Sequence, residues 1–310
     1  MNITILGAAG YIGSVLTGEL LADGYKVIAL DNLMYGQLSL AAYCGDPDFT
    51  FVRGDVRDGM MVAAAIKNAD VIIPLAAIVG APACDQDKVA AQTINSDAIR
   101  MLCKTASTEQ QIIYPNSNSG YGTTPEGTEC DENTPLNPIS IYGVTKAEGE
   151  GQVMERENSI ALRLATVFGV SPRMRTDLFV NDMVQRACTD SVVTLFDANA
   201  RRNYIHVNDI ARAFLHCIDN FDDMRGRVYN CGLSDANLTK RQLCEKIKER
   251  VPSFVINEAA VGSDPDKRDY LVSNKRIEAT GFKCETSLDV GIDELMKFYR
   301  MAGRRQFGNV

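Results

Sequence analysis

The sequence has little of what metal sites and nucleic-acid surfaces need. Only two histidines occur in 310 residues, and no ligand cluster surrounds them, so a catalytic metal is not expected. Acidic residues outnumber basic ones and give a net charge of −8. This balance argues against partners such as nucleic acids or membrane surfaces. An anionic ligand would therefore need a local basic site.

The sequence also lacks a membrane-spanning apolar run and any C-x-x-C pair among its nine cysteines. Scattered cysteines of this kind are typical of reduced thiols in the cytoplasm. Because the first predicted strand starts at Asn2, we expect no targeting segment and a cytoplasmic location.

Short apolar, β-branched segments alternate with amphipathic segments in the first half of the chain. Strands that are apolar on both faces and separated by helices predict a parallel sheet covered on both sides, the doubly wound α/β (Rossmann) fold. The predicted strands cover residues 3–6, 26–30, 49–53, 71–75, 111–114 and 159–164. The predicted helices cover residues 12–22, 58–68, 86–105 and 141–157.

Beyond about residue 170 this alternation loosens into a different pattern. Helices are predicted near residues 176–189, 207–219, 238–250, 274–280 and 288–302, with short strands between them. We therefore expect a dinucleotide-binding domain over residues 1–170 and a smaller C-terminal lobe over residues 171–310. Some later segments could return to the first domain, since no linker marks the boundary.

The stretch NITILGAAGYIGSVL, residues 2–16, places Gly7, Gly10 and Gly13 between a buried strand and a helix. Gly7 permits the tight turn, Gly10 lets the backbone approach a pyrophosphate, and Gly13 allows close helix packing. The free N–H groups of the helix N-terminus would face the phosphates. An ordinary tight turn is the alternative, but the order strand, glycines, helix favours dinucleotide binding.

Asp31 ends the second predicted strand. A carboxylate there could accept both hydroxyls of an adenosine ribose and would repel a 2′-phosphate. No arginine follows it closely in the sequence. Asp31 therefore favours NAD over NADP as the cofactor, with a cap or turn role as the alternative.

Further motifs extend this pattern along almost the whole chain. They are the G-x-x-G-x-x-G spacing, RGDVRD at 53–58, PLAA at 74–77, Asn95 and RRNYIHVNDIA at 201–211. Together they resemble the extended short-chain dehydrogenase/reductase family of nucleotide-sugar epimerases, dehydratases and dehydrogenases. The resemblance implies bound NAD, a nucleotide-sugar substrate held mainly by the C-terminal lobe, and a homodimer. It assigns cofactor contacts to Gly7, Gly10, Tyr11, Ile12, Gly13, Asp31, Asn32, Asp55, Val56, Leu75, Ala76, Ala77, Asn95, Tyr142 and Lys146.

The segment IYGVTK holds Tyr142 and Lys146, which share one helix face. A neighbouring ammonium and a cationic nicotinamide would both favour the phenolate, so Tyr142 could act as a base near neutral pH. The family pattern selects Ser117 as the catalytic hydroxyl, since it precedes Tyr121 by four residues. Ser119 is then expected to cap the turn. A surface Tyr–Lys pair is the alternative.

A pyrophosphate inside an acidic protein needs cations. The resemblance assigns this role to Arg202 and Arg268, and SPRMRTDLFVN at 171–181 adds Arg173 and Arg175; each could instead form a surface ion pair. The predicted substrate contacts are Ser117, Asn118, Thr166, Arg173, Arg175, Asp177, Leu178, Arg202 and Arg268. We interpret His206 as a packed histidine beside Asp209 and His216 as a core residue.

The resemblance implies oxidation at C4 of the sugar. Asn118 and Ser119 stand where 4,6-dehydratases have a carboxylate pair, so dehydration is not expected. A dehydrogenase, a 4-epimerase and a 4-keto-sugar reductase remain, and a non-catalytic NAD-binding protein is a fourth alternative. Longer strings resemble the family's C4 dehydrogenases of GDP-heptoses in capsular polysaccharide pathways, which hold NAD tightly and can use 2-oxoglutarate as the hydride acceptor. Thr166 and the pair Asp177–Leu178 also depart from the UDP-hexose epimerase pattern.

Overall fold

The computed structural model describes residues 1–125, 127–259, 268–305 and 307–308. Its strands are β1 (Asn2–Leu6), β2 (Lys26–Asp31), β3 (Phe49–Arg53), β4 (Val71–Pro74), β5 (Gln111–Ser117), β6 (Glu129–Cys130), β7 (Ser159–Leu164), β8 (Thr166–Phe168), β9 (Val192–Leu195), β10 (Arg201–His206), β11 (Arg227–Cys231), β12 (Asn237–Thr239), β13 (Val255–Glu258) and β14 (Leu271–Val272). Its helices are α1 (Tyr11–Ala22), α2 (Gly59–Ile66), α3 (Ala81–Gln86), α4 (Lys88–Gln92), α5 (Ala98–Thr105), α6 (Ile141–Met154), α7 (Phe179–Thr189), α8 (Val207–Asp219), α9 (Phe221–Met224), α10 (Lys240–Arg250), α11 (Lys275–Glu278) and α12 (Leu288–Ala302).

Seven parallel strands form the central sheet in the order β11-β7-β5-β4-β1-β2-β3. The predicted doubly wound α/β fold is confirmed, and all six predicted strands belong to this sheet. The seventh strand, β11, comes from the second half of the chain and pairs with β7. The division into residues 1–170 and 171–310 stays a prediction.

Apolar side chains cover both faces of the sheet. On one face α1 and α8 pack side chains such as Leu16 and Phe214 against the strands. On the other face α2, α5 and α6 contribute Val62, Leu102 and Val153. These side chains are at most 1% exposed, which explains why the strands are apolar on both faces.

A second apolar core lies in the C-terminal half of the chain. Here α7, α10 and α12 pack around β9 and β10 through residues such as Val184, Ile247 and Leu295. The predicted helices of this half are confirmed, although the first begins at Phe179 rather than at 176. No helix in the described ranges is long and apolar enough to cross a bilayer.

The predicted helix over 86–105 is interrupted. Asp87 ends α3 and caps α4 by accepting the Ala90 N–H at 2.8 Å, and a π-helical turn, Thr93–Asp97, separates α4 from α5. Single π-helical turns occur often at functional sites. This one carries Asn95.

The order of the central strands reverses between β1 and β4, because the chain proceeds to β2 on one side and to β5 on the other. In doubly wound sheets a crevice opens at the carboxyl ends of the strands at this point. The predicted glycine turn follows β1, and Leu75 to Ala77 follow β4. The fold therefore brings these predicted cofactor residues together.

Candidate active site

A cavity of about 490 Å³ lies at the carboxyl ends of the central strands and extends toward the C-terminal half. The predicted site residues that line it are Gly7, Gly10, Tyr11, Ile12, Gly13, Asp31, Asn32, Asp55, Val56, Leu75, Ala76, Ala77, Ser117, Tyr142, Lys146, Thr166, Arg173, Arg175, Asp177, Leu178, Arg202 and Arg268. Asn95 and Asn118 are buried outside this lining.

The glycine turn after β1 has the geometry of a phosphate cradle. Gly7 has φ +90°, and a Cβ there would lie 2.4 Å from the backbone nitrogen of Ala76. A Cβ at Gly13 would lie 2.5 Å from the carbonyl oxygen of Gly7, so α1 packs directly on the turn. Gly10 begins α1 with no side-chain cap and no acidic residue in the first turn. Its N-terminal N–H groups therefore suit an anionic ligand.

Asp31 lies at the end of β2, beside this turn. Its carboxylate accepts the Ala9 N–H at 2.9 Å and the Leu33 N–H at 2.8 Å. Burial raises the pKa of Asp31, and these two hydrogen bonds oppose the rise, as does the positive charge of Arg173. The carboxylate is thus fixed where an adenosine ribose would present its hydroxyls.

Arg173, which the sequence interpretation assigns to the nucleotide sugar, lies in the cavity lining near Asp31 as well as near Arg175. Its guanidinium carbon is 4.2 Å from the centre of the Tyr35 ring, and the residue is 2% exposed. No arginine follows Asp31 closely in sequence, yet the fold brings one near it in space. Tyr35 was missed because nothing in the sequence distinguishes it from other loop tyrosines.

Asp55 follows β3 and is held by its neighbours. It accepts hydrogen bonds from the Arg57 side chain at 2.7 and 2.9 Å and from Asn32 Nδ2 at 3.3 Å. The hydrogen bond from Arg57 lowers the pKa of Asp55 to about 2. The carboxylate is therefore an ionised acceptor at neutral pH, as an adenine amino group would require.

Ser117 and Tyr142 both line the cavity. Ser117 ends β5, and Tyr142 is the second residue of α6. Ser140 caps the N-terminus of α6 by accepting the Gly143 N–H at 3.1 Å. The Ser117 hydroxyl lies near the Tyr142 phenol. Burial raises the pKa of Tyr142, while Arg268 and Arg175 oppose the rise. The cations that favour its phenolate in this structure are thus Arg268 and Arg175, whereas the sequence suggests the Lys146 ammonium.

Lys146 lies one turn after Tyr142 and is 4% exposed. Its Nζ is 4.1 Å from the centre of the Tyr114 ring. Burial lowers the pKa of Lys146 to about 7, and the Glu150 carboxylate partly opposes this. A small change in the surroundings therefore decides whether this group is an ammonium at neutral pH.

The turn after β5 is not capped by the serine that the sequence predicts. Ser117, not Ser119, caps the turn Asn118–Tyr121 by accepting the Ser119 N–H at 3.2 Å. Ser119 Oγ also donates to Ser117 Oγ at 2.7 Å. Between them, Asn118 is 1% exposed, and neither polar atom of its side chain has a hydrogen-bond partner.

Asn95 connects two walls of the site instead of lining it. Its Oδ1 accepts the Ile78 N–H at 2.8 Å, and its Nδ2 donates to the Ile78 carbonyl at 3.0 Å and to Thr145 Oγ1 at 3.2 Å. It therefore ties the loop after β4 to α6, between Tyr142 and Lys146.

A buried polar network that reaches the cavity at Asn116 was not predicted. Arg163 donates to both oxygens of Glu150, at 2.6 and 3.0 Å, and Asn116 Nδ2 donates to the same carboxylate at 2.5 Å. Asn116 and Arg163 face each other in the β5–β7 register. The sequence signal was an arginine within the otherwise apolar strand β7.

The C-terminal half lines the other end of the cavity with cations. Arg175 pairs with Asp177, Nη2 to Oδ2 at 2.5 Å, and Arg202 donates to the Arg268 carbonyl. Lys240, 3% exposed and also unpredicted, donates from Nζ to the Phe196 carbonyl at 3.1 Å. Thr166, Leu178 and Tyr270 complete this wall. Residues 264–267, part of the string 264–274 that resembles the GDP-heptose enzymes, lie outside the described residues.

The two histidines lie away from the cavity lining. His206 is fully buried, as predicted, and its Nε2 lies 2.8 Å from the carboxylate of Glu294, whereas Asp209 pairs with Arg212 at 2.6 Å. His216 is half-buried and hydrogen-bonded to Thr280 at 2.8 Å, so it is not a core residue. No group of three potential metal ligands occurs within the part of the chain that the structure describes.

Comparison with known proteins matches this arrangement to a family. The sequence profile of the NAD dependent epimerase/dehydratase family matches residues 3–232. The chain belongs to this family. It is an NAD-dependent enzyme of the nucleotide-sugar epimerase/dehydratase type. The glycine turn, the uncapped α1 and Asp31 fit NAD by their geometry.

Two curated relatives show the range of proteins that this chain is similar to. The UDP-glucose 4-epimerase of Mycolicibacterium smegmatis is 26% identical over 97% of this chain and 99% of its own. The low-salt glycan biosynthesis protein Agl12 of Haloferax volcanii is 28% identical over 96% of this chain and 98% of its own.

Solved structures share the fold over nearly the whole chain. The UDP-glucose 4-epimerase of Thermus thermophilus, in complex with NAD, superposes with a TM-score of 0.83 at 24% identity, covering 98% of this chain and 100% of that one. The dTDP-glucose 4,6-dehydratase DesIV of Streptomyces venezuelae, with NAD and TYD bound, gives 0.85 at 24% identity and covers 97% of each chain.

Proposed function

We propose that this enzyme oxidises C4 of the sugar of a nucleotide sugar. The observation that carries the proposal is that Ser117, Tyr142 and Lys146, which lies one helical turn after Tyr142, line the same cavity as the glycine turn. NAD, when bound there, supplies the hydride acceptor. Gly7, Gly10 and the α1 N-terminus would hold its phosphates.

Three side chains of the protein have different roles in the proton transfer. Tyr142 accepts the proton of the sugar 4-hydroxyl while the hydrogen on C4 leaves with its electron pair, so the carbon becomes a ketone. Ser117 donates a hydrogen bond to the sugar oxygen. Lys146 contributes positive charge near Tyr142 and a donor for the nicotinamide ribose.

The positions of the carboxylates that line the cavity favour oxidation of the sugar without elimination of water. Among the described residues that line the cavity, the carboxylates are Asp31, Asp55 and Asp177. The first two lie at the cofactor end, and the third is paired with Arg175. Asn118 and Ser119 occupy the positions after Ser117 and carry no charge for a proton transfer at C5 or C6.

We propose further that the substrate is a GDP-heptose and that the activity is that of a GDP-D-glycero-α-D-manno-heptose 4-dehydrogenase. The longer strings that resemble the GDP-heptose enzymes support this substrate. The cavity arginines Arg202 and Arg268 suit the diphosphate. Arg268 and Arg175 line the same cavity as Tyr142, and we propose that they hold the two carboxylates of 2-oxoglutarate after the sugar leaves. That acceptor would take the hydride and a proton and become 2-hydroxyglutarate.

A 4-epimerase is the second candidate, because a UDP-glucose 4-epimerase is among the relatives that align over nearly their full length. An epimerase would return the hydride to the opposite face of the 4-keto sugar. The redox state of its cofactor would then show no net change.

The redox state of the bound cofactor separates the two candidates. Purified protein is mixed with GDP-heptose or UDP-glucose, with and without 2-oxoglutarate, and the nicotinamide is released and quantified. For a C4 dehydrogenase we expect the sugar to reduce the bound cofactor and the keto acid to reoxidise it. Inverted sugar with unchanged cofactor would establish the epimerase and reject the dehydrogenase.

We also propose a homodimer formed through α6 and the neighbouring helices. Val144 on α6 is 39% exposed, and Val89 on α4 and Ile139 just before α6 are 73% and 50% exposed. These apolar groups would be covered by the same face of a second copy. Light scattering on wild type and Val144→Glu tests this, and a monomer in both would reject it.

A further inference from the structure

We propose that Ser119 is a positioning residue. It orients the Ser117 hydroxyl so that its single proton points into the cavity. The inference rests on the proposed function, because it assigns a use to the hydroxyl that would contact the sugar. Ser119 itself is 1% exposed and lies outside the cavity lining, so it acts only through Ser117.

The hydrogen bonds around Ser117 Oγ determine where its proton can go. The oxygen accepts the Ser119 O–H at 2.7 Å and the Ser119 N–H at 3.2 Å. A serine hydroxyl has two acceptor lone pairs and one proton. Since both lone pairs are engaged by Ser119, Ser117 has only its proton left for a group on the cavity side, where Tyr142 lies near it and where a sugar oxygen would bind.

The position of Ser119 is fixed relative to the helix that carries Tyr142. The Ser119 carbonyl accepts the Gly122 N–H at 3.3 Å, which closes the turn. A Cβ at Gly143 would lie 3.2 Å from this same carbonyl, so α6 packs directly on the turn. The donor is thus held at a constant distance from the catalytic tyrosine.

This arrangement strengthens Ser117 as a donor. A hydroxyl that accepts hydrogen bonds becomes a better donor, because the bonds polarise one another. A donor that is already oriented toward the sugar oxygen stabilises the negative charge that develops there without reorganising during the reaction. Ser119 therefore raises the rate of oxidation without adding to sugar binding.

The kinetic test compares four variants. Ser119→Ala should lower kcat about five- to tenfold, the loss expected for one hydrogen bond, with the KM of the sugar nucleotide and the bound cofactor unchanged. Ser119→Thr keeps the hydroxyl and should restore kcat. Ser117→Ala gives the larger loss of a direct donor, about a hundredfold. Ser96→Ala is the matched control, since Ser96 is a fully buried serine whose hydroxyl accepts a bond from Gln152.

A second readout needs no sugar. The Tyr142 phenol is titrated by ultraviolet difference absorbance, with Tyr142→Phe as the blank, in wild type and in Ser119→Ala. A weaker Ser117 donor should raise the midpoint in the variant. Arg268, Arg175 and Cys84, which also act on Tyr142, are the same in both proteins.

The outcomes separate the two proposals. A raised midpoint together with a lower kcat supports the role of Ser119. A raised midpoint in a protein whose wild type oxidises no nucleotide sugar supports Ser119 and rejects the proposed function. An unchanged midpoint, or a Ser119→Ala variant that changes KM alone, overturns the inference.

Discussion

The guanidinium carbon of Arg173 lies 4.2 Å from the centre of the Tyr35 ring, and this contact joins the segment after β8 to the loop after β2. Both residues line the cavity near Asp31. A cation over an aromatic ring contributes about 2 kcal/mol when it is shielded from water, as Arg173 is at 2% exposure. The contact thus links two segments that flank the cofactor end of the cavity.

We expect Tyr35→Leu to speed cofactor release about tenfold, because opening the cavity no longer has to break this contact. The measurement is the dissociation rate of bound NAD by displacement in a stopped-flow instrument. Arg173→Gln and the double variant complete a double-mutant cycle. Effects that simply add would show that the two residues act on the cofactor independently.

Replacing glycine by alanine should have very different effects at Gly7, in the glycine turn, and at Gly24, outside it. Gly7→Ala should destabilise the protein by several kcal/mol and abolish cofactor retention, since its Cβ would lie 2.4 Å from Ala76 N. Gly24→Ala is the matched control, because Gly24 has φ +80° and no atom lies within 4 Å of the position that its Cβ would take. It should cost only the strain of the left-handed conformation, about 1 kcal/mol. The free energy of unfolding in denaturant and the cofactor content are measured for both variants. Equal losses of stability in the two variants would contradict a steric role for Gly7.

Local patterns identified residues that the fold brings together around one cavity. The glycine turn, Asp31 and the Tyr142–Lys146 pair depend on spacing within one strand or one helix, and that spacing can be read along the chain. The central strands were predictable for the same reason, since burial on both faces leaves a continuous apolar run.

Contacts between distant segments were not predictable. Arg173 reaches the neighbourhood of Asp31 only because the chain returns from β8 to the cofactor side. The bond from Asn116 to Glu150 depends on how α6 rests on β5, and no single segment encodes that geometry. The choice between Ser117 and Ser119 as the turn cap likewise required the positions of the hydroxyl groups.

Tyr142→Phe should lower sugar oxidation by about 10² to 10⁴, the range of general acid–base catalysis, because the phenylalanine cannot accept the proton. The ring remains, so NAD content should be unchanged. Sugar oxidation is measured by the single-turnover absorbance of the reduced nicotinamide, and NAD content by quantifying the released cofactor. Tyr25→Phe is the control, since its hydroxyl bonds Asp219 at 3.0 Å away from the cavity lining. Oxidation within twofold of wild type in Tyr142→Phe would remove this residue from the mechanism.

Burial of Lys146 makes the stability of the cofactor-stripped protein depend on pH. Its pKa is lowered to about 7 in the folded state, whereas an unfolded chain has a lysine pKa of about 10.4. Between these values the unfolded state binds one more proton, so stability rises with pH by up to about 1.4 kcal/mol per unit. Below pH 7 both states carry the charge, and the full cost of burying an ammonium remains.

Urea unfolding from pH 6 to 9 tests this dependence against Lys146→Met, which lacks the titrating group. The free energy of unfolding of wild type should increase relative to that of the variant as the pH rises above 7. Lys275→Met is the matched control, because the side chain of Lys275 is 80% exposed and should add no such slope. A constant difference between wild type and Lys146→Met would mean that Lys146 keeps its ammonium within the fold, with Glu150 compensating the burial.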